Sequence, residues 1–151
     1  MGGPNRSTAG GFSIIELTMV IILVGVLAVV AMAKLGRVDS YQVYGFFDGT
    51  RAAVRFAQKV AVAQRTNVVV VVSPASIDLC YTSAACALPV IDPATGQAMS
   101  VTAPTGVSVS GPASISFDGL GRAIPGGTIT VSGAGVTRSL VVEQETGYVH
   151  E

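Results

Sequence analysis

Apolar and polar positions fall into three regimes along the chain. From Leu17 to Ala33 the residues are aliphatic or small for 17 positions, and from Phe12 to Ala33 a helix of 22 residues would cover the roughly 30 Å of a bilayer's hydrocarbon core at about 1.5 Å per residue. Gly36 and then Asp39-Ser40 interrupt this run. From Val43 the spacing becomes three and four: Val43, Phe46, Phe47, Thr50, Ala53, Val54, Ala57, Val60 and Ala61 share one stripe. Asp48, Arg51, Arg55, Lys59 and Arg65 fall mostly opposite it, so an amphipathic helix is expected. It reads as the second half of one long helix, bent near Gly36, or as a separate helix capped by Ser40.

After Asn67 the period shortens again. Val68 to Val72 is a run of β-branched residues that favours a buried strand, and Ser73-Pro74 stops it. Short strands are also expected at Ser76 to Tyr81, Ala87 to Ile91 and Met99 to Thr102, with a surface loop from Asp92 to Gly106 around the last of them. Val107 to Ser110, Ser114 to Phe117, Thr128 to Ser132, Ser139 to Glu143 and Tyr148 to His150 follow at the spacing of an antiparallel meander. Asp118-Gly119 with Gly121, Gly126-Gly127, Gly133 to Gly135 and Glu145-Thr146-Gly147 supply the turns.

At the head of the apolar run stands one acid, in Gly10-Gly11-Phe12-Ser13-Ile14-Ile15-Glu16-Leu17. An ionised carboxylate at a bilayer centre is unfavourable by roughly 2.5 to 3.5 kcal/mol on insertion scales, so it calls for a partner or a function. The stretch resembles the class III signal of type IV pilins and type II secretion pseudopilins. That resemblance implies cleavage after Gly11 by a prepilin peptidase, N-methylation of Phe12 and an assembly role for Glu16. In a packed filament the terminal ammonium of one subunit can neutralise Glu16 of its neighbour, and the bland reading of the same residue is snorkelling to the headgroups. The region after the apolar run carries a second, weaker likeness. Phe117-Asp118-Gly119, Gly121-Arg122, Thr128-Ile129-Thr130-Val131 and Val141-Val142 to Thr146-Gly147 resemble the GspH/FimT group of minor pilins and pseudopilins. The expected fold is α+β, a long N-terminal helix against an antiparallel β-sheet or sandwich head. Its parts are a leader (1–11), a membrane or filament-core half-helix (12–35), an amphipathic half-helix (36–66) and a β-rich periplasmic head (67–151).

Composition narrows function by exclusion. The formal charge is zero, but Lys34, Arg37, Arg51, Arg55, Lys59 and Arg65 lie on the helical part, while acids outnumber Arg122 and Arg138 beyond it. A mildly acidic head argues against a broad phosphate-binding face. His150 is the one histidine, too isolated for a metal site or a proton relay, and no phosphate loop appears. Catalysis and cofactors are not implied. Cys80 and Cys86 lack zinc or thioredoxin spacing and read as a disulfide closing a small loop in an exported head, with two buried thiols as the alternative.

The expected function is structural: a minor pilin or pseudopilin of a type IV pilus or type II secretion pseudopilus, held single-pass in a bacterial inner membrane. Its partners would be the prepilin peptidase, the inner membrane and other subunits reached through the apolar helix. Two other readings stay open. One is a DNA-binding minor pilin for uptake; in the FimT group DNA-binding members use a Gly-Arg-x-Arg pattern, where this chain has Gly147-Tyr148-Val149-His150 without either arginine, so no nucleic acid is expected. The other is a secreted β-sandwich released by an ordinary signal peptidase after Ala31-Met32-Ala33.

Overall fold

The computed structural model describes residues 13–35, 38–81 and 85–151, without the side chains of residues 31–35 and 38–39. The leader, Gly11, Phe12 and the expected bend at Gly36 lie outside the described residues. The chain divides into two units, up to Arg37 and from Val38 onward.

The first unit holds helix α1, Ile14–Leu35. Ser13 precedes it, and the amides of Glu16 and Leu17 both bond the Ser13 carbonyl at 3.0 and 3.1 Å, which closes the first turn. Ser13 with Glu16 three residues on is the spacing of a capping box, and an acid in the first turn also suits the positive end of the helix dipole. Every described side chain of α1, through Val30, is exposed. Over the described residues alone, no helix is long and apolar enough to cross a membrane.

The second unit begins with α2, Val38–Gln64. Its stripe is the one that the spacing requires: Val43, Phe46, Phe47, Ala53, Val54, Ala57 and Ala61 are buried, as is Thr50, while Val60 is half-buried. Polar Thr50 is an exception within the core, for its hydroxyl finds no protein partner. The helix ends in a Schellman motif, with Arg65 at φ 51° and the amides of Arg65 and Thr66 returning to the carbonyls of Val62 and Ala61.

Among the described residues nine strands follow: β1 (Val68–Ser73), β2 (Ser76–Cys80), β3 (Ser100–Thr102), β4 (Val107–Ser110), β5 (Ser114–Phe117), β6 (Ala123–Ile124), β7 (Gly127–Gly133), β8 (Val136–Val142) and β9 (Val149–His150). They build two antiparallel sheets, ordered β3-β2-β1-β5-β6 and β4-β7-β8-β9. Helix α2 lies against both, touching β1, β2, β3 and β5 of the first and β7, β8 and β9 of the second. The core between them is made of Phe47, Val54, Val68, Val70, Ile77, Leu79, Ile115, Phe117, Ile129 and Leu140.

The α+β class with a helix on antiparallel sheets is therefore the observed one, with three corrections to the expected strands. The late strands are not a meander. β4 pairs with β7, whereas β5 leaves to pair with β1, so that Val70 faces Ile115. The chain changes sheet at Gly111-Pro112, packed so closely on the start of β7 that a Cβ at Gly111 would stand 2.9 Å from the Thr128 carbonyl. Ala87 to Ile91 is not a strand. Pro89 has no amide to give a ladder, so the segment makes only the isolated bridges Cys80 to Pro89 and Ile91 to Ala98, with Val90 bonding Leu79 and Met99. Finally, β8 starts at Val136 rather than Ser139, because Ala134 (φ 48°) and Gly135 (φ 75°) alone make the two-residue hairpin turn after β7.

Candidate functional site

Glu16 is the sole ionisable group among the described side chains of α1, exposed on its first turn. Around it are Ile14, Ile15, Leu17 and Met19, all exposed large apolar residues. A helix apolar on all sides is ordinarily a buried one, in a large core or a membrane. Gly11 and Phe12, the expected cleavage and methylation positions, lie outside the described residues.

In the second unit two of the glycine-containing turns, those at Asp118 to Gly121 and at Glu145 to Gly147, come together. The β5–β6 turn is built on the Asp118 carboxylate, which accepts the amides of Leu120 and Arg122 and the Arg122 Nε, each at 2.9 Å. The Arg122 Nη2 completes an ion pair at 2.8 Å. These donors, led by the Arg122 amide, hold the Asp118 carboxyl below its ordinary value. Gly119 rests on the α2 terminus, where a Cβ would come 3.0 Å from the Arg65 carbonyl carbon. The β8–β9 turn, with Gly147 at φ 62°, lies against Gly121 at φ 84°. A Cβ on Gly147 would fall 2.0 Å from the Gly121 carbonyl oxygen. Gln58 of α2 fastens the two turns, its Nε2 donating to the carbonyls of Gly121 at 2.9 Å and Thr146 at 3.0 Å. The Ala123 amide adds a bond to the Gln144 carbonyl at 2.9 Å. Nothing in the local pattern around Gln58 marks it for this role; it shows only once the turns are placed.

The cations of this unit are largely committed. Arg51 pairs with Glu151 at 2.9 Å, Arg138 pairs with the other oxygen of the same carboxylate, and Arg55 donates to the Val149 carbonyl at 2.9 Å. The Arg138 guanidinium also lies over the rings of Tyr44 and Phe47. His150 meets Glu143 at 3.1 Å through Nε2 and stacks on Tyr148. The bond to Glu143, then the Glu151 carbonyl, raises its pKa above the ordinary 6.5. Among the described residues no group of three metal-ligating side chains occurs. A disulfide joins Cys80 and Cys86, whose Cα atoms are 5.2 Å apart. Cys80 is fully buried at the end of β2.

Residues 49–146, which include the β5–β6 turn and Gln58, match the family model for the type II transport protein GspH. The chain belongs to the GspH family. The match begins within α2 and so owes nothing to the signal-like stretch around Glu16. Among solved structures, the type IV minor pilin FimU of Pseudomonas aeruginosa has the same fold. In one crystal form it is 13% identical with a TM-score of 0.58, covering 74% of this chain and 88% of FimU; in a second form the figures are 14%, 0.54, 71% and 90%. No curated protein gives a significant match. As a GspH family member with this fold, the chain is a structural subunit of the minor pilin and pseudopilin class.

Proposed function

We propose that the protein is made as a class III signal precursor, cleaved after Gly11, methylated on Phe12, and held by 12–35 in a bacterial inner membrane until it joins a filament. The observation that carries this reading is α1 itself: an apolar helix, exposed over its described side chains, whose one described ionisable group, Glu16, stands in its first turn. The described side chains end at Val30, but the helical backbone continues to Leu35 through Ala31, Met32 and Ala33. With Phe12 the segment reaches the length of a span. In the filament Glu16 would face the terminal ammonium of a neighbouring subunit, so that two charges in low dielectric neutralise each other.

The head is placed on the periplasmic side, supported by the Cys80 to Cys86 disulfide, since such bonds persist in oxidising compartments. Assembly with other pilin-class subunits takes the place of catalysis. Nucleic acid is left out, because Arg51, Arg122 and Arg138 are each engaged by a carboxylate and the matching Gly147 to His150 stretch brings no arginine. The test is Glu16→Ala in the full chain. Removing the acid leaves membrane insertion intact or improved, while incorporation into sheared filaments falls; normal incorporation would reduce Glu16 to a headgroup anchor or a helix cap.

A further inference from the structure

Arg55 and Lys59 stand one turn apart on α2, a spacing at which like charges repel. Nothing in the second unit offsets them. The Arg55 guanidinium donates to the neutral Val149 carbonyl, Lys59 is exposed, and neither forms an ion pair among the described residues. Both line an open groove of about 550 Å³ between α2 and the segment leading into β3, whose apolar walls are Ala52, Phe56, Pro93 and Met99. The one acid of the lining is Asp92. Its carboxylate is turned to its own loop, where it accepts the Ala94 amide at 2.9 Å and the Thr95 hydroxyl at 3.0 Å. Asp48, the preceding acid on α2, stands two turns before Arg55, about 10 Å away along the helix axis.

Beside the groove runs an open strand edge, since β3 is the outermost strand of its sheet. The Met99 carbonyl accepts the Leu79 amide and the Ala103 amide bonds the Ala75 carbonyl, so positions 99, 101 and 103 turn their backbone groups toward β2. By alternation the amides and carbonyls of Ser100 and Thr102 point outward. The side chains of Met99 and Val101 lie on the α2 side: Met99 lines the groove, and a Cβ on Gly49 would come 3.3 Å from Val101. Asp78, which accepts the Ser76 and Ser100 hydroxyls, is on the opposite face. Ser100–Thr102 itself has neither the charge nor the proline that commonly keeps a second strand off an edge.

We propose that the groove and this edge together hold an extended segment of a neighbouring pilin-class subunit, one in which an acidic residue lies two positions from an apolar one. The proposal rests on the filament reading given above. The segment adds to β3 through its backbone, and its alternate side chains face α2. The apolar one fills the space between Phe56 and Met99, and the acid reaches Arg55 and Lys59. Charge complementarity selects this occupant over a neutral or basic segment, because only an acid relieves the repulsion within the Arg55 and Lys59 pair.

The test uses the full-length chain in cells that assemble filaments, with the photo-crosslinker p-benzoylphenylalanine in place of the exposed Ala52. After irradiation, the cross-linked peptides of sheared filaments are sequenced by mass spectrometry. The expected attachment is to a segment of another subunit in which Asp or Glu lies two residues from an aliphatic or aromatic side chain. In separate strains, Lys59→Glu should cut incorporation into filaments at least tenfold, and Lys59→Arg should leave it at the wild-type level. Exchanging the partner's acid for lysine should restore Lys59→Glu. Lys59 is exposed, and circular dichroism of Lys59→Glu shows that the fold is kept. Attachment only to a segment without an acid, no attachment at all, or undiminished incorporation of Lys59→Glu would each overturn the proposal. Absence of the wild-type chain from filaments would overturn the filament reading and this proposal with it, and that outcome is read before any variant is compared.

Discussion

Replacing Gly147 by alanine should damage the head far more than the same change at Gly135, although both residues have positive φ, 62° and 75°. At Gly135 a Cβ meets nothing within 4 Å, so only the left-handed backbone penalty applies, about 1 kcal/mol. At Gly147 the Cβ would sit 2.0 Å from the Gly121 carbonyl oxygen and 2.6 Å from the Gln58 Nε2. No side-chain rotation relieves a backbone clash of that depth, so the two turns must part. Parting them breaks the bonds from Gln58 to Gly121 and Thr146, each about 1 kcal/mol net. The total is about 3 kcal/mol or more, a large share of the roughly 5 to 15 kcal/mol that holds a domain together. Urea unfolding of the full chain in detergent, followed by tyrosine circular dichroism, gives both values. Equal losses for Gly147→Ala and Gly135→Ala would refute the close packing of the two turns and the role of Gln58.

Three further outcomes are expected. Reducing the Cys80 to Cys86 bridge should lower stability by about 2 kcal/mol, the loop-closure value for so short a loop, and alkylation without reductant should label neither thiol in periplasmic material. His150 should stay protonated above pH 6.5; since its folded pKa is raised, the Glu143 contact contributes fully below pH 6.5 and is lost as pH rises through the folded value. An NMR titration of the imidazole should move back toward 6.5 in Glu143→Gln. Fluorescence anisotropy of labelled duplex DNA at about 150 mM salt should show no binding, and salt-sensitive micromolar affinity would restore the uptake reading.

The elements that sequence makes legible are those whose information is local. The stripe of α2 follows from spacing alone, because a helix with one dry face must repeat at three and four, and the turns at Asp118-Gly119 and Gly133 to Gly135 carry their own backbone chemistry. Pairing is different. Whether Ser114 to Phe117 joins β4 or β1 is decided by the crossing at Gly111-Pro112 and by the burial of Ile115 and Phe117, neither of which a local period records. The two-residue β6 is too short to leave a pattern, and the α2 stop at Arg65 uses a left-handed residue where a glycine would have announced it. At the candidate site, the pairing of Cys80 with Cys86 was readable. The capping spacing of Ser13 to Glu16 was equally readable and gives that acid a second, local reason to be there. Gln58 was not readable, since its partners lie 63 and 88 residues away.

The most direct test of the pilin-class assembly is the intact mass of the subunit recovered from sheared filaments. A mature chain beginning at N-methylated Phe12 is expected. Absence from the filament fraction, with a secreted chain beginning at Lys34, would contradict it.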